Sequence, residues 1–460
     1  MGEKGLKSWS KDFILKKVVR NSSYIFASQA ISAILSILTA NLLGVSGFGV
    51  LGVVISFISN VNRLLSFRMS EFIVRYVGAA IAREERKSAV AVIKLAAMTE
   101  ATTSLIALTI LMLLAPWAAE QFAKDPSTAV LFRIYGLTIL GNLVTETSTG
   151  ILQVTGHFRS QAVVNFIQGV ITALLFLVVF LNQGGVMAVM LVYLAGKMIL
   201  GLGPVGLAFY WLHKEWGTGW WKGSSKGYLP PVKEMARFAV STNLSGTINL
   251  VARDSEVLWV SYFFSTVEAG YFKVALAIVN LAIMPITPFI STTYPELAKN
   301  VALQAWTRLK SLLKRVTAIS GAWTSVVILG LLLLGKQLLF SPLTLFGRTF
   351  QVYQSGYLPA FEVLLILMIG FGMANIFFWD RSLLLSFNKP GFVLKVAAIG
   401  VALKTLLAFL LVPRFGYIME AMLLTAYFVG TVGTILLRGV KDIRQQEKTH
   451  PELVTAGVGE

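Results

Sequence analysis

Twelve stretches of apolar sequence, each about as long as a bilayer is thick, recur along these 460 residues. A hydrocarbon core about 30 Å thick takes about 20 residues of helix to cross. Inside it every backbone N–H and C=O must be satisfied within the segment, which favours helices. The runs lie at about 22–43, 50–67, 88–115, 128–154, 160–181, 185–211, 236–264, 267–293, 316–340, 357–386, 391–412 and 416–437. Composition agrees, with 56% hydrophobic residues against 13% charged, where a soluble domain carries about 25% charged. The expected fold class is all-α integral membrane, with twelve transmembrane helices and both termini on one side.

The net charge of +18 would fit a nucleic-acid binder, but its distribution argues otherwise. With a cytoplasmic N-terminus, 28 of the 40 Lys and Arg residues fall in inside segments, 4 (Lys124, Lys336, Arg348, Arg414) in outside segments and 8 within spans. The charge therefore reports orientation toward an anionic inner leaflet, and no nucleic-acid partner is expected. The first 20 residues, with Trp9, Phe13, Ile14 and Leu15 among lysines, read as a short interfacial helix. No small-residue cleavage signal follows residue 43, so the first span is expected to be retained. The chain has no Cys and only three His, His157, His213 and His450, which argues against a disulfide framework or a metal site.

The longest interior polar connection, HKEWGTGWWKGSSKGYLPPVKE, divides the spans six and six. The expected organisation is a basic cytoplasmic segment 1–21, an N-lobe 22–212, a cytoplasmic connection 213–235, a C-lobe 236–438 and a cytoplasmic tail 439–460. A weak internal repeat sets 42–59 (LLGVSGFGVLGVVISFIS) against 263–280 (FFSTVEAGYFKVALAIVN), aligning Gly49 with Gly270 at an offset of 221. It falls at the turn between the first two spans of each half, as parallel repeats in transporters do.

Basic residues within spans are Arg63, Lys94, Arg133, Lys197, Arg253, Lys273, Arg381 and Lys404. At mid-membrane each costs about 2.5–3.5 kcal/mol even on the permissive insertion scale, so such a group faces a partner or water. Lys94, Arg133 and Arg381 lie near span ends and can snorkel. Polar stripes at helical spacing mark wet faces: Ser245, Asn249, Arg253 and Glu256 in the seventh span, Asn142, Glu146, Thr149 and Gln153 in the fourth, Ser56, Asn60 and Arg63 in the second. Ser28, Ser32, Ser36 and Thr39 in the first are read rather as a packing seam. Glu100 and Lys197 are expected to form a structural ion pair. Arg253 has Asp254 and Glu256 at hand as local partners.

The run RDSEVLWVSYFFSTVEAGYFKVALAIVNLAIMPITPFISTTYPELAK at 253–299 resembles polysaccharide transporters, with Gly270–Tyr271, Pro285 and Pro288, and Pro295–Glu296–Leu297 at the matching places; NLLGVSGFGVLG at 41–52 is similar to the same family's first external turn. The chain is thus identified as a member of the MATE-like multidrug/oligosaccharidyl-lipid/polysaccharide superfamily, resembling its Wzx-type oligosaccharide flippases. The resemblance implies two six-helix lobes with a cleft lined by helices one, two, four, five, seven, eight, ten and eleven. On that reading Arg63, Arg253, Lys273 and Lys404 form a cationic cleft for the diphosphate of an undecaprenyl-linked oligosaccharide, Arg gripping its oxygens bidentately. Glu146, Asp254 and Glu256 are the candidate ion-pair or coupling groups, the coupling ion being a proton or sodium, with no other cofactor.

Expected partners are the lipid-linked glycan of O-antigen or another lipopolysaccharide-type pathway, membrane lipids and other polysaccharide assembly proteins; the expected location is the inner membrane. Pro285, Pro288, Gly370 and Gly372 would allow helices to bend during transport. A MATE-type exporter of cations should show uncompensated acids in its cleft, whereas here bases balance them. A lipid II flippase usually has two further helices. A membrane glycosyltransferase or polymerase would carry a long external loop, and the longest one here, about 341–356, has no acid.

Overall fold

The structure, a computed structural model, describes residues 13–67, 69–222, 227–250, 254–345 and 348–449. The interfacial helix expected over the first 20 residues lies mostly outside them. Ten helices are long and apolar enough to cross a bilayer, from Ala30–Leu65 to Tyr417–Thr449. The first holds two spans, because Gly44 interrupts Phe13–Leu65 with φ +65° and ψ −179°; without a Cβ, glycine takes this left-handed turn at little cost. The seventh span is not among the ten; its described helices are Val232–Asn249 and Glu256–Phe263. With these two adjustments the twelve expected spans are accounted for, and the class is all-α. One small departure is an antiparallel hairpin in the 341–356 connection, pairing Leu343 with Phe350 and Leu345 with Arg348.

The chain packs as two compact units, Ala27–Lys273 and Val274–Glu460 together with Met1–Phe26. In the first unit the second span stops at Leu65 and restarts as Ser70–Ala82. The third span braces this break: Thr103 Oγ1 accepts from the Phe67 N–H at 3.2 Å, and the Ser66 and Ser104 hydroxyls meet at 2.8 Å. Below it Phe72, Ile73 and Val77 pack with Val92, Ile93, Ile151 and Leu212 into one core. The fourth span, read as one run from the sequence, comes in three pieces: Ala129–Gly136, Thr138–Gly141 and Thr145–Val154. In the second unit Trp306, Leu309, Leu313, Trp379, Leu383 and Ile443 form another core. Outward residues such as Leu113 and Leu333, each 75% exposed, are at home only in lipid.

The two copies of the 221-residue repeat touch each other. A Cβ on Gly49 would collide with the Thr266 carbonyl oxygen, and one on Gly270 would lie 2.5 Å from the Val45 carbonyl oxygen. Val45 and Thr266 are themselves 221 apart, so the contact is reciprocal. Backbone meets backbone there because neither glycine has a side chain.

Candidate functional site

The first unit holds a polar cavity of about 300 Å³ at membrane depth, lined among others by Arg63, Glu100, Tyr135, Asn142, Glu146 and Lys197. It exists because the second and fourth spans both break beside it. Gly141 allows part of this: the Cβ-free Gly201 of the sixth span packs directly on the Gly141 carbonyl. The helix Thr145–Val154 begins without a side-chain cap of its own. Glu100, 1% exposed, supplies one from the third span, its Oε1 and Oε2 accepting the N–H groups of Glu146 and Thr147 at 2.8 Å each. A carboxylate at a helix N-terminus satisfies orphan donors and meets the positive end of the dipole.

This geometry corrects the expected Glu100–Lys197 ion pair. Both residues line the cavity, but Glu100 has turned to two backbone amides, and no carboxylate lies within salt-bridge distance of Lys197 among the described residues. Lys197 sits among the spans yet keeps accessible surface, and it lines the cavity. Arg63 repels it from the same cavity. Glu146 accepts a hydrogen bond from the Ser70 hydroxyl at 2.6 Å, tying the restart of the second span to that of the fourth.

Arg63 pairs with Asp254 of the seventh span. Both side chains stay substantially accessible, at 55% and 41%, so the pair is open to competition by another anion. Asp254 thus turns to the second span. Glu256 is fully buried. Arg253 lies outside the described residues, as do the side chains of Ser245 and Asn249.

The other two expected cleft cations are engaged by protein partners. The Lys273 ammonium donates to the Phe48 carbonyl at 3.4 Å and sits 4.0 Å from the Phe48 ring centre, its stem lying over Gly52. It anchors one repeat copy to the other. Lys404, in the second unit, pairs at 3.0 Å with Glu420, the two side chains 4% and 0% exposed. Sequence reasoning placed both with Arg63 because cost at mid-membrane alone does not say whether water or a partner lifts it. It also missed the lining role of Lys197 and the capping role of Glu100. The signal that could have revealed them was the Gly141–Asn142 pair in an apolar run, a place where a helix can open.

Mid-span prolines and glycines divide in use. Pro285 sits in a one-turn 3₁₀ break, Met284–Ile286. Gly370 instead lets the twelfth span approach, with Thr425 Cα 2.7 Å from where its Cβ would stand. No group of three or more His, Cys, Asp or Glu residues is placed to hold a metal among the described residues.

A multi-pass helical bundle with a wet, cation-bearing cavity between broken spans has the form of a membrane transporter. Over 92% of its length it matches a multidrug resistance MATE family transporter of the MOP superfamily in an inward-facing conformation, with a TM-score of 0.71, 14% identity and 96% of that chain covered. It matches the lipid II flippase MurJ in an inward closed conformation over 94% of this chain and 93% of that one, with a TM-score of 0.64 and 13% identity. A MOP superfamily transporter from Pyrococcus furiosus matches with a TM-score of 0.57 and 12% identity, covering 94% and 96%. By sequence, 162 residues are 24% identical to the inner membrane protein YghQ of Escherichia coli, covering 34% of this chain and 45% of that protein. The match thus spans less than half of that relative.

At these identities the likeness is one of fold, shared with the MATE and MOP transporters and MurJ. Residues 14–301 match the family described as polysaccharide biosynthesis protein. The chain belongs to that family.

Proposed function

We propose that this protein is a flippase that moves an undecaprenyl-pyrophosphate-linked oligosaccharide or polysaccharide repeat unit across the cytoplasmic membrane by alternating access. The observation that carries the reading is the pair of cations, Arg63 and Lys197, lining one polar cavity among the spans, Lys197 without a carboxylate partner among the described residues. A diphosphate entering apolar surroundings needs such charges, and the planar donors of Arg63 suit its oxygens. Membership of a polysaccharide biosynthesis family supports a glycan cargo. Arg253, next in sequence to the Asp254 that holds Arg63, is assigned to the same grip. Asp254 would release Arg63 when a phosphate arrives, and with Glu256 would couple that release to a proton or sodium ion.

The cation exporter reading has less support, because the cavity carboxylates are already engaged: Glu100 by two amides and Glu146 by Ser70. The charge distribution supports cytoplasmic termini and a cytoplasmic 213–235 connection, and an inner-membrane location accords with YghQ. Lobes of 22–212 and 236–438 remain the transport units in this proposal.

Lipid analysis of a deletion strain tests the function, with one lipid-linked oligosaccharide expected to accumulate on the cytoplasmic face. Complementation should be abolished by Arg63→Ala and by Arg253→Ala at normal membrane abundance, and restored only in part by lysine at either position. Full complementation by Arg63→Ala would remove the cavity from the mechanism. Cysteine labelling of this Cys-free chain checks the topology: Ser224→Cys should be protected from an impermeant external reagent.

A further inference from the structure

A second site lies in the Val274–Glu460 unit, away from the cavity above. Where the ninth span begins, the tenth ends and the twelfth ends, a groove of about 750 Å³ opens between them. Its floor is apolar, built from Leu313, Phe377, Trp379, Leu436 and Val440, and its rim carries Lys310, Lys314 and Arg444. The Trp379 indole N–H donates to Thr317 Oγ1 at 2.7 Å, which fixes the ring as part of the wall.

The basic residues at this end are not used alike. Lys310 is neutralised by Glu447, at 2.6 and 2.7 Å, and Lys389 and Arg438 converge on Asp442 at 2.9 and 3.2 Å. Lys314 and Arg444 are exposed and have no such partner among the described residues. Two cations unpaired among the described residues therefore share a groove whose other lining is largely apolar. A soluble anion would use the cations and leave the trough wet. A neutral lipid would fill the trough and leave the cations idle.

We propose that this groove binds an anionic diacyl glycerophospholipid of the inner leaflet, its phosphate between Lys314 and Arg444 and an acyl chain along Phe377, Trp379 and Val440. Basic pockets between spans at the cytoplasmic face select anionic lipids in this way, each charge adding to the attraction. The site does not depend on what the protein transports, and it is tested without a transport assay.

The full chain, purified in a neutral detergent, is titrated with dioleoylphosphatidylglycerol or dioleoylphosphatidylcholine, and bound lipid is counted by native mass spectrometry. One phosphatidylglycerol should bind at least about ten-fold more tightly than phosphatidylcholine. The double variant Lys314→Gln/Arg444→Gln should bring phosphatidylglycerol down to the phosphatidylcholine level. Lys395→Gln, an exposed lysine at the same end of the eleventh span but outside the groove, should leave the preference intact. Val440→Trp, which fills the trough and keeps the charges, should lose both lipids, with its folding verified by an unchanged melting temperature. Equal binding of the two lipids by the wild type, retention by the double variant, or displacement by sn-glycerol 3-phosphate at the lipid's own concentration would each overturn the proposal.

Discussion

The two units treat intramembrane charge in opposite ways. In Val274–Glu460 the Lys404–Glu420 pair is sealed, with neither side chain open to solvent. In Ala27–Lys273, Arg63 and Lys197 line one polar cavity, and the Arg63–Asp254 bridge is about half exposed. Similar residue types at similar cost in a bilayer are therefore a structural bolt in one unit and an accessible surface in the other. The difference lies in the backbone. The second and fourth spans are broken beside the cavity, whereas the helices that carry Lys404 and Glu420 run unbroken over Pro390–Phe415 and Tyr417–Thr449. A charge inside a span marks function only where the helices around it open.

The sharpest test of that contrast pairs two lysine substitutions. Lys404→Met strands Glu420 in a dry interior and should cost about 3–5 kcal/mol, read as a large drop in melting temperature in detergent. Adding Glu420→Leu should restore most of the loss, since a well-packed apolar pair is often as stable as a buried ionic one. Lys197→Met, by contrast, leaves no carboxylate stranded and should keep the melting temperature while abolishing flipping. Equal destabilisation by the two methionines would break the comparison.

Next in size is Glu100→Ala, which strips the cap from Thr145–Val154 and leaves two amides unsatisfied at about 1–3 kcal/mol each. Thermal melting should fall and transport with it. Glu100→Gln should recover part of the loss, because its carbonyl still accepts one N–H. The smallest effect belongs to Asp254→Asn. An accessible ion pair contributes about 0.2–1 kcal/mol, so stability should hardly move, while the affinity of the cavity for inorganic pyrophosphate, read by displacement in isothermal titration, should rise as Arg63 is freed. Unchanged affinity would show that Asp254 does not compete for Arg63.

Much of the architecture was legible because hydrophobic length is a local property. Gly44 marks a turn in the sequence as plainly as in the structure, and the polar seventh span announced itself by Asn249, Asp254 and Glu256. The breaks in the fourth span were not legible. Ala129–Val154 is apolar enough to read as one helix, and it opens only because Glu100 stands ready to satisfy the amides exposed. The reciprocal seat of Gly49 and Gly270 was half visible, as an offset of 221, but nothing in the residues said that the two copies would meet.

The sequence by itself determined that the chain crosses a membrane as helices, how many times, and which residues would be costly there. Lipid offers no hydrogen bonds and no solvation for charge, and each helix must meet that demand out of its own residues. Only the tertiary structure decided which costs are met by a partner and which by water. Lys404 found Glu420 sixteen residues on, Lys273 found Phe48, and Arg63 found Asp254 almost two hundred residues away. Among the described residues Lys197 found no carboxylate, and it faces the cavity. Pairing depends on where distant helices break and pack, and no periodicity within one helix records that.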